Sequence, residues 1–238
     1  MKPGLPFGCV LATLGAMACA ASAADVRVVD HIDWPAFMAG NDMVWKRIPA
    51  RWEQSPFLGN GWMGTMIYQD GADQPGKLRI DVHHAGVQDH REGPDATFAT
   101  ARLPIGHFSV DTVGQMTGCD WRLDLWNAEL SGTITTTSGS IQLRALVPAD
   151  EQLIVVAVTP DEGEAGLQIR FHPDKAESPR RTYVDPPMAY PDNPPHEQLT
   201  TNNVTVCRQP LLVGGEHATA WRIVTDGETK TLFAGVAH

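Results

Sequence analysis

Cysteine, tyrosine and positive charge are all scarce in this 238-residue chain. Of its four cysteines, Cys9 and Cys19 fall in an apolar leader, which leaves Cys119 and Cys207. Neither belongs to a C-x-x-C pair, so a zinc ribbon or a thioredoxin-like centre has no support. In an exported protein the two could form a disulfide, and two buried thiols are an equal alternative. Lys and Arg number 18 against 28 Asp and Glu, a formal net charge of -10. A chain this acidic repels phosphate backbones and anionic lipid surfaces, so neither nucleic acid nor membrane is an expected partner. Uncharged ligands such as sugars remain open. After the leader, no apolar run is long enough to span a bilayer. There is no G-x-S-x-G, no H-E-x-x-H and no Gly-rich phosphate loop behind a strand, so no cofactor is indicated. Internal repeats and low-complexity tracts are absent too.

What is present begins with a leader. Residues 1–23 carry one Lys near the start, an apolar stretch and a small-residue end. Ala21-Ser22-Ala23 fits the small-x-small cleavage rule, so residues 1–23 read as a signal peptide and 24–238 as an exported domain, periplasmic or extracellular. The bulky aliphatic residue expected three places before a lipoprotein Cys is missing at Ala16, ahead of Cys19.

Glycine (22) and proline (18) punctuate the rest of the chain and exclude long uninterrupted helices. Between them run short segments of near alternation: Trp62–Gln69, Lys77–His83, Gly106–Asp111, Trp121–Glu129, Gly132–Thr137, Ser140–Val147, Gln152–Thr159, Gly166–His172, Asn203–Arg208, Ala218–Thr225 and Lys230–Val236. In Ser140–Val147, Ile141, Leu143 and Ala145 alternate with Gln142 and Arg144. The run Leu153–Val158 is apolar throughout, which suits a strand covered on both faces. Strands with short links and no β–helix–β alternation predict an all-β fold, an antiparallel β-sandwich with few short helices. Pro35–Ala39 and Ala96–Ala101 are the two helical candidates. The proline-rich stretch His172–Thr201 reads either as a stiff irregular cover over a sheet edge or as a functional or mobile loop.

Four constellations bear on chemistry. Gly59, Asn60, Gly61 and Gly64 make a tight, backbone-exposing turn that feeds a strand; it is either a hairpin corner or a contact surface. His83, His84, Asp89, His90 and Arg91 form the densest polar cluster. Its spacing matches no standard zinc site, so a polar loop at a cleft edge is the expected use. The carboxylates Asp81, Asp89, Glu92, Asp120, Asp124 and Glu129 would be scattered on both faces by strand alternation, and Asp120 and Asp124 flank a ready ion-pair partner in Arg122. Tryptophan outnumbers tyrosine, seven to three. Trp62, Trp121, Trp126 and Trp221 fall in strands and read as core; Trp34, Trp45 and Trp52 precede them and are less constrained.

The stretch Trp52-Glu53-Gln54-Ser55-Pro56-Phe57-Leu58-Gly59-Asn60-Gly61-Trp62-Met63-Gly64-Thr65-Met66-Ile67-Tyr68 resembles the W-E-x-x-x-P-L-G-N-G-x-x-G-A-M opening of glycoside hydrolase family 95, which contains α-L-fucosidases and α-L-galactosidases. Arg122–Leu130 resembles that family's R-x-L-D-L-x-x-A strand. Leu143–Val147 and Gln152–Val156 resemble the pair that follows it. Where the family has an L-x-L-N-E-D-like run, this chain reads Leu78-Arg79-Ile80-Asp81-Val82-His83-His84. The resemblance implies an N-terminal super-sandwich that precedes a helical linker and an (α/α)6 catalytic barrel. The general acid and base lie in that barrel, whose helical repeats are not found here, so no catalytic residue is carried over. What is carried over is a surface facing the barrel or its sugar cleft: Trp52, Gly59, Asn60, Gly61 and Trp62, with His83, His84, Asp89, His90 and Arg91 beside them. Carbohydrate would be an indirect partner and the barrel a direct one. Two other readings stand against this one: a free-standing carbohydrate-binding module, and a self-sufficient hydrolase with two carboxylates facing one cleft.

Overall fold

Short links between alternating segments leave the chain little choice but to fold back on itself strand by strand. The computed structural model describes residues 29–71, 73–91, 102–183 and 191–238. The leader, Glu92 and the helical candidate at Ala96–Ala101 lie outside the described residues. In chain order the strands are β1 (Met43–Trp45), β2 (Phe57–Gly59), β3 (Met63–Gln69), β4 (Lys77–His84), β5 (Gly106–Asp111), β6 (Met116–Asp124) and β7 (Glu129–Thr136). They continue with β8 (Ser140–Leu146), β9 (Leu153–Pro160), β10 (Gln168–Pro173), β11 (Glu197–Thr201), β12 (Val204–Pro210), β13 (Glu216–Asp226) and β14 (Thr229–Ala237). One helix, α1 (Trp34–Ala39), occurs among the described residues; Pro35 opens it and Asp33 caps it by accepting from Ala36 N. No described helix is long and apolar enough to cross a membrane.

Nine strands form one antiparallel sheet in the order β1-β6-β7-β8-β9-β14-β13-β12-β11, and five form a second in the order β10-β5-β4-β3-β2. The fold is therefore an all-β sandwich. Alternation sets which side chains fill it. Ile67, Leu78, Ile80, Phe108 and Val110 from the smaller sheet meet Trp121, Ile134, Ile141, Leu143, Ile154, Val156 and Leu232 from the larger in one buried cluster. Burying each of these side chains contributes roughly 1.5–3 kcal/mol. Trp221 of β13 bridges the layers, with ring centroids 4.7 Å from Phe171 and 5.6 Å from Phe108. At one end Glu164, fully buried, accepts from Val113 N (2.7 Å), Gly114 N (2.8 Å) and Thr136 Oγ1 (2.6 Å), which ties three loops together.

Several expectations are corrected. The segment Trp121–Glu129 is no single strand: β6 ends at Asp124, and Asp124 Oδ1 accepts from Trp126 N and Asn127 N to turn the chain into β7. Trp126 sits on that turn and is exposed, and Trp62 is exposed on its hairpin, so neither is core. Arg122 pairs with Asp42, not with Asp120 or Asp124; Asp120 takes Lys46 at 2.5 Å. In β9, Ile154, Val156 and Val158 are buried, whereas Leu153, Val155 and Ala157 are only half-covered by cross-strand neighbours such as Leu146 and Phe233. The proline-rich loop holds an edge strand, β11, that alternation did not reveal. Cys119 and Cys207 are buried and unpaired. Burial lifts the Cys119 thiol to about 11, with Asp120 adding to the effect, and burial raises Cys207 as well.

Candidate functional site

The hairpin between β2 and β3 is fixed by one side chain. Asn60 Oδ1 accepts from Trp62 N (3.0 Å) and Met63 N (2.9 Å). Its Nδ2 donates to Pro148 O and Glu151 O, both at 2.9 Å, which pins the turn to the loop between β8 and β9. Gly61 takes φ +94, a backbone conformation that side chains disfavour. Gly59 and Gly64 serve differently: a Cβ on either would stand 3.0–3.1 Å from the ring of Phe57. The two glycines are a floor on which the Phe57 ring lies. Above that floor opens a groove of about 370 Å³, lined mainly by Phe57, Gly61, Trp62, His83, His84 and Pro179. Phe57 and Trp62 present their rings to solvent, at 59% and 57% exposure.

The His84 ring beside this groove is engaged at both nitrogens, while Arg102 adds an exposed guanidinium to the lining. His84 Nδ1 accepts from Gly86 N (3.1 Å), so Nε2 carries the proton and donates to Gln152 Oε1 (2.8 Å). The His84 ring lies 5.9 Å from Trp62 and 4.8 Å from His238. His83 is exposed at the groove edge, 3.7 Å from Asp81. The groove thus offers aromatic faces, with the exposed side chains of His83 and Arg102 at its rim.

Of the residues singled out from sequence, Gly61, Trp62, His83 and His84 converge on the groove, and Gly59 and Asn60 build it. Trp52 stays exposed on a short 3₁₀ turn outside the lining. Asp89 and Arg91 are a buried ion pair (2.7 Å). Asp89 also accepts from Asn193 Nδ2 at 3.3 Å, and Arg91 donates to Pro191 O, so the pair clamps two loops together. His90 faces a separate, smaller cavity. Sequence reasoning missed Phe57, Arg102, Leu103, Pro104 and Pro179 in the lining. Phe57 was within reach, because a large ring two positions before a G-N-G turn needs a smooth floor.

A second cluster covers the outer face of the smaller sheet, where Tyr68, Arg79, Asp81, His107, Ser109 and His172 share one face by register. Asp81 accepts from Tyr68 Oη (3.0 Å) and Arg79 Nε (2.6 Å). Arg79 also reaches Asp70 (3.4 Å) and Asp174 (3.9 Å). His107 stacks on His172 at 4.9 Å, and Ser109 Oγ meets His172 Nε2 at 2.9 Å. Burial alone would raise the Asp81 carboxyl, but the His83 imidazole beside it and the charge and hydrogen bond of Arg79 outweigh burial and hold Asp81 below the usual range. Burial, and then the charge of Asp81, push the Tyr68 phenol up. Burial and Arg79 keep His107 neutral more readily than a free imidazole. A carboxylate held ionised is a poor general acid, and every charge here has a partner. Among the described residues, no three His, Cys, Asp or Glu side chains converge to hold a metal ion.

No protein-family model and no curated protein matches this sequence. A solved structure from the human microbiome, provisionally named a kojibiose phosphorylase, superposes with a TM-score of 0.38 at 10% identity. The match covers 80% of this chain, which spans 31% of that one. So loose a likeness transfers neither activity nor substrate.

Proposed function

We propose that this chain is an exported, non-catalytic β-sandwich of a family-95-like glycoside hydrolase, and that the Phe57–Trp62 groove is its contact surface toward an (α/α)6 catalytic barrel and the sugar cleft there. One observation carries the reading: two large aromatic rings stand exposed on a turn that the Asn60 side chain holds from behind with four hydrogen bonds. A hairpin held rigid from behind, with apolar faces left bare in front, is what a docking surface needs. The network around Asp81 supports the non-catalytic side of the reading, because its carboxylates are tied to arginine and tyrosine.

The test has two parts. The purified chain should not turn over an aryl α-L-fucoside. Mixed with the separately expressed barrel of a family 95 enzyme, it should comigrate on gel filtration, and Trp62→Ala with Phe57→Ala should abolish the comigration. Turnover by the chain alone would overturn the reading, as would no association with the barrel. A free-standing carbohydrate-binding module is the second reading, favoured by the exposed Trp62 ring beside the polar rim of His83, since such a ring can stack on a sugar face. It calls for calorimetric binding of an oligosaccharide without any barrel, lost in Trp62→Ala.

A further inference from the structure

A sandwich of two open sheets has four edge strands, and three of them are blunted here. β1 and β2 are three residues long. β10 carries the charged Arg170 and ends on Pro173. β11 is longer than β1 or β2, holds no proline or lysine, and its one charge, Glu197, is 3.9 Å from Arg208. Those are the devices that keep strand edges from pairing with another chain, and β11 lacks most of them. It ends the nine-stranded sheet, pairs only with β12 among the described strands, and all five of its residues are exposed.

The turn after β11 fixes which backbone groups face outward. Thr201 and Val204 pair across Asn202 and Asn203, which both take positive φ (52 and 62). That is a type I′ hairpin, closed by a hydrogen bond between Thr201 and Val204. Along an antiparallel strand, the N–H and C=O of one residue point the same way and successive residues alternate. Glu197, Leu199 and Thr201 therefore bond to β12, while Gln198 and Thr200 aim both backbone groups out from the edge. The side chains agree with this phase. Thr200 Oγ1 lies 2.9 Å from Thr205 Oγ1, the close approach of a pair that exchanges no backbone bonds.

The strand also complements itself. A second β11, turned about a two-fold axis at Leu199, sets Gln198 opposite Thr200, and each such pair exchanges two backbone hydrogen bonds from groups already aimed outward. Leu199, 69% exposed, meets its own copy across the axis. Glu197 faces Thr201, so no like charges meet, which a chain of net charge -10 requires of any contact with itself. Pro194 and Pro195 before the strand and the Asn202–Asn203 turn after it hold the pairing to this length.

We propose that β11 pairs with β11 of a second copy of this chain about that axis, joining two nine-stranded sheets into one. No groove residue takes part, so this contact can fail while barrel docking stands, and the reverse. A pair of five-residue strands buries less than the roughly 1,200 Å² of a standard interface, so the dimer is weak, with a dissociation constant on the order of 0.1 mM.

The test is sedimentation equilibrium of the full chain from about 10 µM to about 1 mM, where the mean mass should climb from one chain toward two. Thr200→Pro removes an outward N–H and no bond to β12, and should weaken association at least about tenfold. Leu199→Lys sets two like charges on the axis and should do the same. Thr200→Val keeps the N–H and should associate like the parent. Thermal melts establish that each variant is folded, and Leu199→Lys decides if Thr200→Pro is not. The register has its own readout, taken with Cys9→Ser and Cys19→Ser in place and with Cys119 and Cys207 buried. Leu199→Cys brings two thiols within disulfide reach across the axis, so oxidised glutathione should yield a covalent dimer. Glu197→Cys places its two copies about four residues apart along the strands and should not. Three results would overturn the proposal: a single chain at every concentration, whether the edge is idle or taken by a strand of another protein; association that survives both Thr200→Pro and Leu199→Lys in folded protein; or cross-linking of Glu197→Cys as fast as that of Leu199→Cys.

Discussion

The Phe57–Trp62 groove and the Asp81 network both stand on the five-stranded sheet, yet they are built in opposite ways. In the network the polar side chains bond to each other: Arg79 to Asp81, Asp70 and Asp174, Tyr68 to Asp81, Ser109 to His172. At the groove turn Asn60 bonds to backbone four times over and leaves the rings of Phe57 and Trp62 exposed. A crowd of titratable groups on a sheet face is therefore not the mark of a site. A rigid turn that leaves aromatic rings uncovered is a better one.

The comparison breaks first if the network proves dispensable. Asp81→Ala strips two hydrogen bonds and leaves the half-buried Arg79 guanidinium short of its main partner. Breaking a buried pair costs about 3–5 kcal/mol, and the contacts of Arg79 with Asp70 and Asp174 place this change near 3 kcal/mol. Urea unfolding would read it, with barrel docking unchanged in the folded fraction. Adding Arg79→Met should restore at least half of the loss. A cost below about 1 kcal/mol would make the network an ordinary surface ion pair.

Acid separates the regions next. Burial, reinforced by the nearby His238 and His84, drops His217 from the ordinary 6.5 to about 4 in the fold. Above 6.5 both folded and unfolded chains hold it neutral, and stability does not depend on its titration. Below that value the unfolded chain takes a proton that the folded chain refuses. Stability present at neutral pH is thus lost as pH falls from 6.5 toward 4, by about 3 kcal/mol at most. Asp81 acts in a different window: its folded value lies below the ordinary carboxylate value of about 3.9, so its contribution persists to that pH and is lost on further acidification. Unfolding measured at pH 7, 5 and 4 should show a decline that His217→Phe largely removes and Asp81→Asn does not.

Asn60→Ala comes third. It deletes four hydrogen bonds on one turn, at roughly 1 kcal/mol net each when all partners are buried, and about 2 kcal/mol in total here because several partners can turn to water. The groove should lose its shape with it, so docking fails in a protein that still folds at room temperature.

How much of this was legible in the sequence depends on strand length and on partners. Ser140–Leu146 was readable because Ile141, Leu143 and Ala145 are buried while Gln142 and Arg144 are exposed, and alternation records that difference directly. β1, β2 and β11 are edge strands of three to five residues, too short to show a period. The start of β6 was lost because a register shift between Met116 and Gly118 interrupts its alternation. The hairpin site was legible through Gly59, Asn60 and Gly61, since few other residue types make that turn. Alternation gave the parity of Trp62 and Trp126 but not whether anything covers them. The cavity that His90 faces was illegible, because its walls come from residues 86–90, 211–217 and 238, which only the sheet order brings together.

The smallest change in stability carries the sharpest contrast. The Trp62 side chain is mostly exposed and donates no hydrogen bond that holds the turn, and the backbone N–H that does is kept in alanine, so Trp62→Ala should alter unfolding by no more than about 0.5 kcal/mol. Phe57→Ala uncovers Gly59 and Gly64 and costs somewhat more, about 1 kcal/mol. On docking the order reverses. A large ring that fills a partner's pocket is worth 2 kcal/mol or more at an interface, about thirtyfold in affinity, and both variants should lose at least tenfold. Asp81→Ala and Trp62→Ala then form a crossed pair, one losing stability and keeping docking, the other keeping stability and losing docking. Gel filtration with the barrel and a urea melt on each variant decide it. If Trp62→Ala docks normally, the exposed rings are surface decoration, and the barrel contact lies on another face of the sandwich.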